Sequence, residues 1–351
     1  MPKYGLALMV RNEAESVERC LASVKPYIGA ATVIDTGSTD GTMDLVHKAL
    51  DGIEHWLPER PWVDFGHNRS ELMEAARGSA EWLILSDADM EWEIDPSFEP
   101  DPSVDAYGIL LGDPHGFSWR LPLLVRGDLP WRFREPVHAY LDLDRPYVTV
   151  PTDAVRMTMF GDRTSDAKTQ GQYDALKAAL DKAPDDPRKT FYLAQTAREL
   201  GRDDEARALY YRRTTMGGFA EEVFYSAFRG AMLEPLWPDR LAKLIDAWEM
   251  RPTRLEPLYE AAKELSARGQ RNTAYRLLTI PVEPCTDMLF RHGGVWSWGM
   301  MFERSIAAWH VGRYAESKAL SEELLDNPHL PANVRAQVLV NLGFATARLT
   351  T

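Results

Sequence analysis

Three short apolar runs near the start of the chain, residues 5–10, 31–34 and 82–85, each break off into a polar cluster. Between the first two, Val17, Cys20, Leu21 and Val24 recur at helical i, i+3, i+4, i+7 spacing. The second run leads into the turn-rich Asp35-Thr-Gly-Ser-Thr-Asp-Gly-Thr42 and then a helical pattern carrying Met43, Val46 and Leu50. A third helix is expected over residues 70–76, before the third strand. Strand, helix, strand repeated in this way demands a parallel sheet, because the connections are long enough only for crossovers. Ligands of such sheets sit beyond the carboxyl ends of the strands, so Asn12-Glu13, Asp35 and Ser86-Asp-Ala-Asp89 should share one rim. Residues 95–155 are rich in Pro and Gly, with strand candidates at 106–111, 122–125 and 147–150.

Past about residue 160 the strand patterns stop and the pattern turns almost wholly helical. We therefore expect an α/β domain over 1–162 and an all-α domain over 163–351. The aromatic pairs Phe191-Tyr192 and Phe224-Tyr225, followed by Leu258-Tyr259, are spaced by 33 and 34 residues, close to the tetratricopeptide period. Gly201 precedes Ala206, and Gly269 precedes Ala274, by the same five residues. A later unit has Gly312-Arg-Tyr-Ala315 and ends at Pro328. The second unit lacks the Leu-Gly turn and reads as interrupted by Pro235 and Pro238, so an irregular helical bundle is the alternative. Repeat arrays of this kind present a concave surface to another chain.

Charge and composition narrow the partners. With 53 acidic against 40 basic residues the net charge is −13, which disfavours generic binding to phosphate backbones or anionic membranes. Hydrophobic residues at 45% suffice for a core. Cys20 and Cys285 are too few for a disulfide framework and suit a reducing, cytoplasmic setting. No stretch approaches the roughly 18 apolar residues of a membrane span.

Asp87-Ala-Asp89 directly after a strand is the sharpest chemical signal. Alternate residues of extended chain point the same way, so both carboxylates can face one Mg²⁺ or Mn²⁺, ions that prefer hard oxygen ligands and share substrate phosphates. The alternative is a solvated turn with Asp as a cap. Ser38, Thr39 and Asp40 read as helix caps, whereas Asp35 at a strand end has no evident capping role and reads as a ligand contact.

The segments LALMVRNEAESVERCLASV, VIDTGSTDGT, DFGHNRSELMEAARGSAEW and WLILSDADMEW resemble, in order and spacing over residues 4–92, the nucleotide-binding half of family 2 glycosyltransferases of GT-A fold. That resemblance implies a Rossmann-like, mostly parallel sheet and a nucleoside diphosphate sugar, a UDP-sugar by preference, as donor. It implies that Glu13 and Asp35, with Asn12 beside them, contact base and ribose, that Arg69 lies near the diphosphate, and that Asp87 and Asp89 serve ribose and metal. Relatives often carry Asn where this chain has Ser70. WRFREPVHAYL, residues 131–141, resembles a stretch where relatives carry Val-His-Glu; His138 matches, Ala139 does not. His138 is thereby a candidate metal ligand or catalytic group, or else a core histidine. An inverting transfer needs a carboxylate to take the acceptor's proton: Glu135 first, with Asp113 and Asp128 behind it. Trp119 and Trp131 are candidates for stacking on a sugar ring or for the core.

The resulting expectation is a metal-dependent, inverting hexosyltransferase acting on a polypeptide side chain. A glycan or modified nucleobase is the rival acceptor, and a non-catalytic nucleotide-binding scaffold the rival class. Nucleic acid is disfavoured by charge, and a homodimer stays open.

Overall fold

The computed structural model describes residues 1–112, 118–135, 138–160, 166–287 and 290–350. The chain divides into two compact units, Met1–Ser165 and Asp166–Thr351. The boundary expected at 162/163 falls outside the described residues.

The first unit is built on a mixed eight-stranded sheet. Its strands are β1 (Tyr4–Val10), β2 (Ala30–Asp35), β3 (Glu54–Trp56), β4 (Trp82–Ser86), β5 (Met90–Ile94), β6 (Ala106–Gly112), β7 (Ser118–Arg126) and β10 (Thr149–Met159). A separate hairpin pairs β8 (Arg132–Arg134) with β9 (Tyr140–Asp142). The order is β3-β2-β1-β4-β7-β6-β10-β5. The first four are mutually parallel, while β7 runs antiparallel to both neighbours. The crossovers from β1 lead to β2 on one side and, later, to β4 on the other, so the strand order reverses beside β1, the place where such sheets bind ligands.

β1, β2 and β4 are buried on both faces, which is why they read as continuous apolar runs. Helix α1 (Val17–Val24) buries the four residues picked out by their spacing. α2 (Thr42–Ala49) follows β2, and α3 (Phe65–Ala76) starts five residues before the sequence pattern suggested, because Asp64 caps it by accepting the His67 N–H at 2.8 Å. Four strands were not anticipated, the short β8 and β9 of the hairpin and two in the main sheet. β3 is three exposed residues with no apolar alternation, and β5 follows so closely on Asp89 that its pattern merges with the acidic cluster.

The second unit contains ten α-helices among its described residues, from α4 (Asp166–Lys182) to α13 (Ala332–Leu349), each packed on the next in sequence, and one turn of π-helix, Val295–Gly299. Between them lie α5 (Pro187–Glu199), α6 (Asp203–Thr214), α7 (Ala220–Met232), α8 (Trp237–Met250), α9 (Glu256–Ala267), α10 (Arg271–Leu277), α11 (Met300–His310) and α12 (Tyr314–Leu325). Phe191, Phe224 and Leu258 are fully buried at equivalent places. Gly201, Gly269 and Gly312 all take left-handed φ of 71–79°, and in each case the next N–H reaches back to the carbonyl five residues earlier: Arg202 to Ala197, Gln270 to Leu265, Arg313 to Ala308, all at 2.9 Å. That is one helix-ending motif used three times. Five residues on from each glycine sits a buried small side chain, Ala206, Ala274 or Ser317. Pro235 and Pro238 interrupt nothing: the first lies in a connection and the second in the first turn of α8, where no N–H is required.

The long connection from α10 to α11 has no counterpart in the repeat pattern. It is held by buried charge. Arg254, fully buried, forks onto Glu256 at 2.9 and 3.0 Å, reaches Asp287 at 3.0 Å and the Phe290 carbonyl at 2.7 Å, and lies over the Phe224 ring. Arg251 also pairs with Asp287.

Candidate functional site

The carboxyl ends of β1, β2 and β4 are in register, with Val10 beside Asp35 and Leu8 beside Ser86. Asn12-Glu13, Asp35 and Asp87-Ala-Asp89 therefore do share one rim. The loops after β1 and β2 are zipped together: Asn12 N–H donates to Ser38 Oγ (3.0 Å), Thr39 N–H to Asn12 Oδ1 (2.8 Å), Glu13 N–H to Thr42 Oγ1 (2.8 Å) and Ala14 N–H to Asp40 Oδ2 (3.1 Å). Ser38, Thr39 and Asp40 thus tie loop to loop, and only Asp40 also closes the start of α2, by accepting from Thr42. That Thr42 hydroxyl bond holds the Asp40 carboxyl below its usual range. Asp35 does have a local role, because its buried carboxylate accepts the Ser38 N–H and hydroxyl, the latter at 2.7 Å.

Beyond β4 the acids sit in a turn and not in extended chain, the Met90 N–H donating to the Asp87 carbonyl at 3.2 Å. Ala88 is buried, and Asp87 and Asp89 on either side of it are half-exposed. Arg69 from α3 clasps both oxygens of Asp87, at 2.7 and 2.8 Å, with its guanidinium between the Phe65 and Phe133 rings. Behind the turn, Cys20 is fully buried against Ser86, and burial pushes its thiol up to about 12, so it is chemically quiet.

The DFGHNRS stretch holds more than the single arginine singled out from sequence. Asn68, fully buried, accepts from Val63 N–H and donates to the Pro61 carbonyl, fixing the approach to α3. Ser70 bonds the backbone of Phe133. Gly66 faces the Glu135 carbonyl so closely that any Cβ there would collide with it. The legible clue was a density of small and polar residues inside a helix with a weak apolar stripe.

The remaining candidates scatter. Asp128 lies at the opposite end of the sheet, since Arg126 of antiparallel β7 pairs with Trp82 at the start of β4, and its carboxylate is taken by Arg126. Trp131 is core: 2% exposed, its indole N–H on the Arg126 carbonyl and its ring edge-on to Tyr147. Asp113 and the Trp119 side chain lie outside the described residues. Glu135 lines an open groove of about 1070 Å³ along the outer side of α3, together with Trp56, Arg60, Glu71 and Arg132. His138 is exposed. Among the described residues no three His, Cys, Asp or Glu side chains converge as a metal cage, so Asp87, Asp89 and His138 do not form one. Asn12, Glu135 and His138 all adopt left-handed backbone, with φ of 55, 71 and 50°. Asn tolerates this, whereas for Glu and His it costs on the order of 1–3 kcal/mol each, a strain that concentrates at functional sites.

Residues 6–100 match the family described as Glycosyl transferase family 2. That match lies within the first unit, and the second unit carries the repeated helix-ending glycines described above. The chain is 33% identical over 152 residues to a TPR repeat-containing protein of Synechococcus elongatus, covering 40% of this chain and 36% of that one. It is 32% identical over 89 residues to the SPbeta prophage-derived glycosyltransferase SunS of Bacillus subtilis, covering 25% and 20%. The chain thus spans well under half the length of these curated relatives. Among solved structures, S. aureus TarS in complex with UDP-GlcNAc has a TM-score of 0.35 at 13% identity, covering 70% of this chain and 89% of that chain. No helix among the described residues is long and apolar enough to cross a membrane.

Proposed function

We propose that the chain is an inverting glycosyltransferase that takes a sugar from a nucleoside diphosphate donor, a UDP-sugar by preference, and passes it to a polypeptide side chain. The observation that carries this reading is the Arg69-clasped Asp87, with Asp89 beside it, on the same rim as Asp35 and the zipped loops. Asp35 and Glu13 serve base and ribose, and Arg69 exchanges Asp87 for the diphosphate. Two hard carboxylates two residues apart on the rim would fit Mg²⁺ or Mn²⁺, with Asp89 as one ligand and Asp87 as the other once Arg69 has moved to the diphosphate. When bound, such a cation neutralises charge developing on the departing diphosphate. Glu135 accepts the acceptor's proton as its oxygen or other nucleophilic atom attacks the anomeric carbon. The repeats hold the acceptor chain, as such arrays do.

A thermal-shift panel of nucleoside diphosphates and their sugars, with and without Mn²⁺, tests the reading: a ligand at 100 times its dissociation constant stabilises by about 2.7 kcal/mol. No shift with any of them rejects it.

Asp35→Ala should weaken UDP binding about 10- to 150-fold in calorimetry, since one charge-assisted hydrogen bond contributes about 1.5–3 kcal/mol. It should leave the Mn²⁺ dependence intact. Unchanged UDP affinity would confine Asp35 to its turn.

A further inference from the structure

Strand β8 has β9 on one side only, with Phe133 opposite Leu141. On its other side Phe133 meets a single hydroxyl. Its N–H donates to Ser70 Oγ at 2.9 Å, and the one proton of Ser70 is shared between the carbonyls of Phe133 (3.1 Å) and Gly66 (2.7 Å). One side-chain oxygen thus satisfies both backbone groups that a third strand would otherwise pair. One turn earlier in α3, the bare Gly66 lets the Glu135 carbonyl approach. One residue before Ser70, Arg69 spans from Asp87 to the Phe133 ring, 5.6 Å from its centre. Glu135 itself has φ 71°, a conformation glutamate does not choose and surrounding contacts must impose.

We infer that Ser70 is a positioning residue: with Gly66 it presses the Phe133–Glu135 backbone onto α3 and so fixes where the Glu135 carboxylate stands. The inference rests on the reading of Glu135 as the base. In that step the acceptor's proton passes to a Glu135 oxygen, the acceptor atom bonds the anomeric carbon, and the sugar's bond to the diphosphate oxygen breaks with its electron pair. Ser70 touches none of these atoms. Its hydroxyl acts only through the backbone that it holds.

The test compares the full-length chain with Ser70→Ala and Ser70→Thr. Amide hydrogen exchange at residues 132–135 should quicken about tenfold in Ser70→Ala and stay unchanged at 83–86. UDP affinity should stay within about twofold, while hydrolysis of the UDP-sugar giving the largest thermal shift should lose about tenfold or more in kcat, with KM unchanged. The acid limb of its pH profile should also move. Ser70→Thr, which keeps the hydroxyl, should restore all three. If Ser70→Ala precipitates, Ser70→Cys keeps the size, weakens both bonds and carries the same comparison. Unchanged exchange at 132–135 overturns the latch whatever the kinetics; faster exchange with unchanged kcat and pH profile leaves a latch that positions nothing catalytic and overturns the inference. A wild-type chain that hydrolyses no UDP-sugar defeats the transferase reading instead, and the exchange result then still decides whether Ser70 holds the segment.

Discussion

Arg254→Ala should cost the second unit about 3–5 kcal/mol, read as a shift of its denaturant midpoint by far-UV circular dichroism. The variant takes the guanidinium fork from buried Glu256, leaves buried Asp287 with Arg251 alone of its two arginines, and removes a donor from the Phe290 carbonyl. Burial alone would raise the Glu256 and Asp287 carboxyls, but the arginine bonds and charge outweigh it, and both sit below their usual ranges. A carboxyl lowered by folding stabilises fully above its unfolded value, about 4, and ceases to do so as pH falls through the folded value. The gap between wild type and variant should therefore be full at pH 7 and close only in stronger acid. A loss under about 1 kcal/mol at pH 7 would mean that water satisfies Glu256 and Arg251 suffices for Asp287.

Asp89→Ala should abolish the metal-dependent part of the thermal shift and reduce donor turnover by about 10²–10³-fold or more, the scale on which transition-state charge stabilisation is lost. The fold should hold, because Asp89 stands half-exposed on the rim. Asp87→Ala should behave differently, since it also releases Arg69. Near-normal turnover of Asp89→Ala in EDTA would remove metal from the mechanism.

Both outcomes bear on what could be read beforehand. The parallel core was legible because doubly buried strands are apolar throughout and α1 keeps strict helical spacing. The rim was legible because polar clusters followed those strands. What stayed hidden depended on partners distant in sequence or on how a turn closes. Nothing in the pattern says that Asp35 turns back on Ser38 or that Asp128 lies at the wrong end of an antiparallel strand. Trp131 could stack or pack, and its burial and its bond to the Arg126 carbonyl decide for packing. The helical repeats showed through aromatic pairs 33 and 34 residues apart and two glycines each five residues before an alanine, while the Arg254 cluster joins residues over 30 positions apart and leaves no periodic trace.

If the loops after β1 and β2 hold the donor as proposed, the bonds between them bear on any redesign of donor choice. Asn12, Ser38, Thr39 and Asp40 commit their polar atoms to the facing loop, so each loop is the other's scaffold. Grafting one loop from a relative would leave four mismatched partners and two collapsed turns. The exchangeable module is the pair, cut at Val10 to Ser16 and at Asp35 to Thr42, and a chimaera that respects those seams inherits a ready-made cradle rather than half of one.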